Sequence, residues 1–349
     1  MAPRYTSLDL LNACDAFPDP KRNPQAYSEY MKGFYTLLWH DDEGSYPIGY
    51  VPLSVIEALK NTPSDITGRV DMDDEARTVS LFEEATNEEE RTKLVGQLMK
   101  YWHENKTFQL LKSWRDELWP VYGRKGELLF NMERMAVGLI GAMRYGVHMT
   151  AFIRRKDNSS RYDFRIWVPK RAASKSSFPG MLDNTVAGGL MTDEDPLECI
   201  IREADEEASL PEDYMRAHAK ETGTVTYIYI TDERSGGEPG YIYPECQWVY
   251  DLELPVDGSI IPKPKDNEVE SFRLHTVEEI QEQLAQGLWK PNCAIVMIDF
   301  FIRHGIYTPE NEPHYDELRA RAHRFIPFPG PHWPHWKPCQ PRGRAAKSL

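Results

Sequence analysis

One segment constrains this chain more than any other: Asp195-Pro-Leu-Glu-Cys-Ile-Ile-Arg202-Glu203-Ala-Asp-Glu206-Glu207-Ala-Ser209-Leu210. Pro196 suits a first helical turn, and the spacing predicts a helix over Pro196 to Ala208. Leu197, Ile200, Ile201, Ala204 and Ala208 supply a buried side. Glu203, Glu206 and Glu207 stand at i, i+3 and i+4 and converge on the other side. Three like charges at that spacing oppose a helix unless a cation or a base answers them. Mg²⁺ suits them, because it is a hard ion held by carboxylates together with substrate phosphates. Arg202 points roughly 100° away from Glu203 around the helix, yet it can fold back across a turn to fix one carboxylate. Taken alone, such glutamates are ordinary surface charge. The wider spacing is what makes them a candidate site.

That spacing runs Gly188, five residues, Glu194, seven residues, then Arg202-Glu203-Ala-x-Glu206-Glu207-x-Ser209-Leu210. It resembles the signature of the Nudix hydrolases at every defining position except the last Gly, which here is Ser209. The resemblance implies that the Gly188 carbonyl and the Glu203, Glu206 and Glu207 carboxylates bind Mg²⁺ or Mn²⁺. It implies that Arg202 orients the glutamates and that Glu194 braces the loop. It also implies the family's fold, an α/β/α sandwich around a mixed sheet. Ser209 replaces a helix-ending residue that needs positive φ, which serine tolerates less well than glycine. No ligand is lost by that change.

The flanking segments extend the likeness. Phe178-Pro-Gly-Met-Leu-Asp-Asn-Thr-Val-Ala-Gly-Gly189 leads into the box, and Lys290 to Gly305 closes the domain. With Ser113-Trp-Arg-Asp-Glu-Leu-Trp-Pro-Val121, they are similar to the thiamine-pyrophosphokinase-related Nudix subgroup, in which a DUF4743-type module precedes the Nudix domain. That likeness implies removal of the terminal phosphate from thiamine diphosphate and, preferentially, from its damaged oxo and oxy analogues. Nothing in composition or spacing points to thiamine. The box handles only phosphates, so another diphosphate, such as ADP-ribose or a dinucleotide, stays open. So does a non-catalytic nucleotide-binding module, which would be expected to lack a metal ligand.

The balance of 41 basic against 55 acidic residues gives a net charge of −14. Such a charge repels nucleic-acid backbone and anionic membrane, so neither is expected as a partner. An anionic substrate then needs local positive charge, and a bound divalent cation supplies it. With 41% hydrophobic and 28% charged residues, the chain is not disordered throughout. The start carries no apolar run of signal-peptide length, and no stretch reads as a membrane-spanning helix. Cys14, Cys199, Cys246, Cys293 and Cys339 lie far apart with no CxxC pair. They argue against a disulfide framework and a thiolate zinc site, and for a reduced cytoplasmic setting.

Three parts are expected along the chain: an α+β module over 1–130, the Nudix domain over 131–325, and a basic, proline-rich tail over 326–349. In the module, helices are expected at Pro52–Leu59, Glu88–Glu104 and Leu110–Leu118, and residues 71–90, with nine acids and one base, read as a solvated face or loop. Beyond it, Ala136–Ile140, Val147–Ile153, Phe164–Val168, Gly223–Thr231 and Gln247–Leu254 are strand-like. Thr276–Ala285 and Asn292–His304 are helix-like. This order suggests a mixed sheet covered by helices. The tail is expected to be loosely packed.

A further carboxylate is expected from a loop outside the box, in Asp266-Asn-Glu268-Val-Glu270, and alternation near Phe272 favours Glu268 over Glu270. Lys170, Arg171 and Lys175 form a basic loop ahead of the box and are candidate phosphate contacts. For the organic half of a substrate, Tyr227, Tyr229 and Trp248, with Trp167 and Tyr243, offer aromatic faces in or beside strands. His148 and His304 read as satisfied histidines and not as catalytic ones.

Overall fold

The computed structural model describes residues 4–336, and these divide into two compact units. The first combines Met1–Asp19 with Arg144–Ile326; the second combines Pro20–Met143 with the segment from Pro327 onward. The division therefore falls at 143/144 and not at 130/131, and residues 1–19 belong with the sheet domain.

In the first unit, α1 (Ser7–Cys14) is followed by β1 (Arg144–Arg154), β2 (Phe164–Arg171) and β3 (Val186–Gly189). Then come α2 (Pro196–Ala208), α3 (Glu212–His218), β4 (Lys220–Ile230), β5 (Ile242–Glu253) and β6 (Val269–Thr276). The last helices are α4 (Val277–Ala285), α5 (Pro291–Arg303) and α6 (Tyr315–Arg321). The six-stranded sheet has the order β4-β5-β1-β2-β6, with β3 paired to the first half of β1. Only β5 and β1 run parallel, so the sheet is mixed, as the sequence suggests. In β1, Val147 is paired with Trp248 and Gly188, while Gly146 is paired with Gln247 and Gly189. Alternation puts these two sets on opposite faces. Helix α2 packs on β3 and β1, and α5 packs on β1 and β4, with α1 against α5. The fold is an α/β/α sandwich.

Segment 1–19 is tied in by charge as well as by apolar contact. Asp15 is 3% exposed and accepts from Arg324 Nη1 at 2.9 Å and from the Ile228 amide at 3.0 Å. Leu10, Leu11 and Cys14 are buried beside it.

The second unit is α+β. Its four-stranded sheet runs Gly44–Pro52, Phe34–Asp41, Thr78–Leu81, Val70–Asp73, with a parallel pair at its centre, and a separate hairpin pairs Leu118–Tyr122 with Leu128–Glu133. The helix Glu88–Glu104 occupies the expected residues and buries Val95, Leu98, Met99 and Trp102. The acidic run forms the hairpin Val70–Leu81 and the start of that helix, where its glutamates favour the positive end of the helix dipole. Two expectations fail here. Ala136–Ile140 is not a strand: Arg134–Ala136 is a 3₁₀ turn and Val137–Ile140 a short helix ended by Gly141. A five-residue apolar run cannot by itself distinguish the two. Leu110–Leu118 is only a 3₁₀ turn to Ser113, and Leu118 opens a strand.

The start of the expected loose tail is packed. Phe328 is 1% exposed and meets Tyr50 edge-on, with ring centroids 4.9 Å apart. Trp336 meets Tyr122 at 5.1 Å. Residues 337–349 of that tail lie outside the described residues. Among the described residues, no helix is long and apolar enough to cross a membrane.

Candidate active site

Helix α2 begins where its chemistry requires. Asp195 caps it by accepting from the amides of Leu197 and Glu198, and Pro196 fills its first position. Cys199, Ile200, Ile201, Ala204 and Ala208 are buried along one side. It ends at Ser209, whose φ of 53° is the left-handed conformation expected there. The Ser209 hydroxyl donates to the Lys263 carbonyl at 3.1 Å.

On the other side the carboxylates gather around Arg202. Its Nε and Nη2 donate to the two oxygens of Glu194 at 2.8 and 3.2 Å. Its Nη1 donates to Glu203 at 2.8 Å and to Glu206 at 3.2 Å. The guanidinium thus folds back as expected and holds three carboxylates. Burial works against its charge, but the bonds to Glu194 and the charge on Glu203 outweigh this and raise its pKa.

Glu207 is in the opposite position. Burial, then the charges of Glu203 and Asp183, push its pKa well above the carboxylate range, and the Ala187 amide at 3.1 Å only partly offsets them. A carboxylate crowded by other carboxylates, with a single amide donor, is in the electrostatic setting of a cation site. Gly188 completes the cradle: a Cβ there would overlap the Glu203 carboxylate. Carboxylate and carbonyl oxygens are the donors Mg²⁺ and Mn²⁺ accept, so the residues present fit such an ion.

The loop candidates separate. Glu268 lies just ahead of β6, pairs with Lys175, and its charge is felt at Glu207. Glu270 instead pairs with Lys170 at 2.9 Å across β6 and β2. Arg171 donates to Asp183 at 2.7 Å and to the carbonyls of Ser177 and Phe178 at 3.0 and 3.2 Å. The three bases of the expected phosphate loop thus each hold a protein partner. The aromatic candidates do not form one shelf. Tyr227 is 1% exposed with its hydroxyl donating to Glu245 at 2.7 Å, and the Tyr229 hydroxyl meets Ser235 at 3.0 Å. Trp248 lies on the opposite face of the sheet, beside Tyr145. All three are buried core residues, because alternation along β4 and β5 turns them into the two helix layers. His148 and His304 are satisfied as expected, by Asn184 at 2.8 Å and Asp251 at 2.7 Å.

A second group was not legible from spacing. The ligand atoms of His148, Asp183 and Cys293 lie within 4.8 Å of one another, and the three are capable of holding a metal ion between them. As they stand, the Cys293 thiol donates to Asp183 at 2.6 Å. Burial and then Asp183 push the thiol pKa up, and burial and then Lys290 push His148 down to about 4. Burial would raise Asp183, but Lys290 and Arg171 hold it below the carboxylate range. These residues come from a strand, a loop and a helix more than 30 positions apart. No local pattern announces them.

Residues 144–293 match the model of the NUDIX domain, and residues 44–144 that of a domain of unknown function, DUF4743. The chain is similar to the Saccharomyces cerevisiae protein YJR142W, with 36% identity over 329 residues, 93% of this chain and 92% of that one. It is also similar to Nudix hydrolase 20, chloroplastic, of Arabidopsis thaliana, with 30% identity over 307 residues, 84% of this chain and 69% of that one. Among solved structures it is similar to DR0079 from Deinococcus radiodurans, at 18% identity and a TM-score of 0.36, covering 60% of this chain and 100% of that one.

Proposed function

The chain belongs to the Nudix family, and from that premise we propose that it hydrolyses a thiamine-type diphosphate at the acidic helix. The coarse activity, that of a Nudix pyrophosphohydrolase acting on a small diphosphate, comes with the family. The observation that carries the site assignment is Glu207, a carboxylate raised by burial and by Glu203 and Asp183, with the Gly188 backbone alongside.

In this reading, Glu203, Glu206, Glu207, the Gly188 carbonyl and Glu268 hold Mg²⁺ or Mn²⁺. The ion supplies charge neutralisation on the phosphate oxygens and a more acidic bound water. The chain's own residues supply the positioning. Arg202 fixes Glu203 and Glu206 relative to Glu194, so the oxygens facing the substrate do not reorganise during reaction. Glu203, held on one oxygen by Arg202, acts as a ligand or orients the attacking water. Water oxygen bonds to phosphorus as the bridging P–O bond breaks. A thiamine-type diphosphate then leaves as monophosphate and orthophosphate.

The likeness of the flanking segments supports the thiamine-type substrate, with the oxo and oxy forms preferred. The second reading is another diphosphate, such as ADP-ribose or a dinucleotide. The family match supports it equally, since the box engages phosphates alone. A kinetic panel with Mg²⁺ decides: thiamine diphosphate, its oxo and oxy forms, ADP-ribose and a dinucleotide. The expected result is orthophosphate release, with kcat/KM for an oxidised analogue at least ~5-fold above that for thiamine diphosphate. If ADP-ribose or the dinucleotide wins by ~10-fold or more, the thiamine assignment falls and the metal-site reading stands. Tight binding with no turnover of any member would instead mark a binding module.

A further inference from the structure

Beside the Gly188 backbone lies a polar group that the hydrolytic reading does not use. On β5, the Gln247 Nε2 donates to Glu245 at 2.8 Å and to the Tyr227 hydroxyl at 3.2 Å, while that hydroxyl donates to the same Glu245 oxygen at 2.7 Å. This triangle fixes which way the amide points. A carboxylate only accepts, and the tyrosine's one hydrogen is already given to it, so the NH₂ end of Gln247 must face them. The carbonyl end therefore points the other way. Gln247 is 5% exposed, and among the described residues its Oε1 accepts no hydrogen bond. An enclosed acceptor without a donor is costly unless something supplies one.

The surroundings say where that donor would sit. Gln247 leans across β1 at Gly146, where a Cβ would collide with its Oε1 and would lie 2.7 Å from the Gly188 carbonyl oxygen. Glycine at 146 thus keeps open a gap flanked by the unanswered amide oxygen and by the backbone of the acidic site. Glu245 and Arg144 stand 3.6 Å apart near it with side chains 15% and 17% exposed, so solvent reaches this region. Arg144 is stacked 4.2 Å over the Tyr243 ring.

We propose that Gln247, pinned by Glu245, selects the organic half of the diphosphate by accepting a hydrogen bond from an N–H group of a nitrogen heterocycle. Resting on the hydrolase reading, this names the substrate class: a diphosphate ester whose ring carries an amino or lactam N–H within reach of its phosphates. An alkyl diphosphate offers no such donor and leaves Oε1 unanswered.

The test separates binding from turnover by using P–CH₂–P analogues, which cannot be hydrolysed, of thiamine diphosphate and of isopentenyl diphosphate. Calorimetry with Mg²⁺ gives the ratio of their affinities for the full chain. The wild type should favour the aminopyrimidine analogue, and Gln247→Met should lower that ratio about tenfold or more, as loss of a buried acceptor requires. Glu245→Gln, which frees the amide to turn, should lower it in the same direction. Each variant's melting temperature shows whether it is folded. A wild type that binds the alkyl analogue as well or better, or folded variants with an unchanged ratio, would overturn the proposal. If the ratio behaves as expected but no native diphosphate is cleaved, the hydrolase reading fails while this selection stands.

Discussion

Arg202 and Glu194 form a two-point contact, Nε to Oε1 at 2.8 Å and Nη2 to Oε2 at 3.2 Å, that ties the loop before α2 to the middle of the helix. The contact leaves Nη1 to serve Glu203 and Glu206. A planar fork does three tasks at once, and an ammonium cannot copy it. Arg202→Lys should therefore keep the fold and lose ~10- to 100-fold in kcat, the usual cost of disturbing a residue that orients metal ligands. Circular dichroism together with steady-state kinetics would check this. A variant as active as the wild type would remove Arg202 from the positioning role.

Glu206→Gln and Glu207→Gln should each lower kcat by ~100-fold or more at saturating Mg²⁺, because each removes a charge that the ion needs. The two should differ in stability. Glu206 is 52% exposed, whereas the Glu207 carboxyl sits where burial and Glu203 disfavour its charge. In EDTA at pH 7, Glu207→Gln should melt higher than the wild type and Glu206→Gln should not.

That raised pKa also fixes a pH dependence. Below the unfolded carboxylate pKa, Glu207 is protonated in both states and the folded protein meets no penalty. As pH rises, the unfolded chain ionises first, so this stability is lost towards the raised folded value. Metal-free melting curves from pH 4 to 8 should show an extra decline that Glu207→Gln removes.

His148 acts in the other direction. Its pKa is depressed from 6.5 to about 4, first by burial and then by Lys290. Above 6.5 it is neutral in both states and its contribution is complete. Between 6.5 and 4 the unfolded state takes up a proton that the folded state refuses, so roughly 3 kcal/mol is lost as the solution is acidified. Chemical denaturation should show that slope in the wild type and not in His148→Gln.

Ser209 holds a left-handed φ of 53° at the end of α2, where a side chain costs about 1 kcal/mol or more. Ser209→Gly should relieve that strain and raise the melting temperature slightly despite losing the bond to Lys263. Ser209→Val should lower it. Neither change touches a carboxylate, and equal melting temperatures for all three proteins would show the position to be unstrained.

The fold was most legible where local chemistry is dense. Helix α2 occupies its expected span at both ends, because Asp195, Pro196 and a turn of alternating Ile and Ala signal it within a few residues. Strand β3 was not expected. It is four residues with two glycines, and its only reason to be a strand is its pairing with β1. Strand β6 was read as a loop, since Val269–Thr276 is an edge strand whose residues are mostly half-buried and polar. At the site, the carboxylates and Arg202 lie close together in sequence and were found together. Asp183 with Cys293, and Gln247 with Gly146, meet only through the sheet and its helices, so no spacing rule reaches them.

The two units alternate along the chain, and this imposes an order on how a ribosome can make them. Helix α1 emerges early, with Leu10, Leu11 and Cys14 as apolar surface, yet the partner of Asp15 is Arg324. At about 5–20 residues per second, those two meet on the order of 15–60 s apart. The other unit waits almost as long, because Phe328 is one of its core side chains. Neither unit can close during synthesis until the last few dozen residues are released, so the two finish together, and the nascent chain carries an unsatisfied amino-terminal helix for nearly the whole of translation.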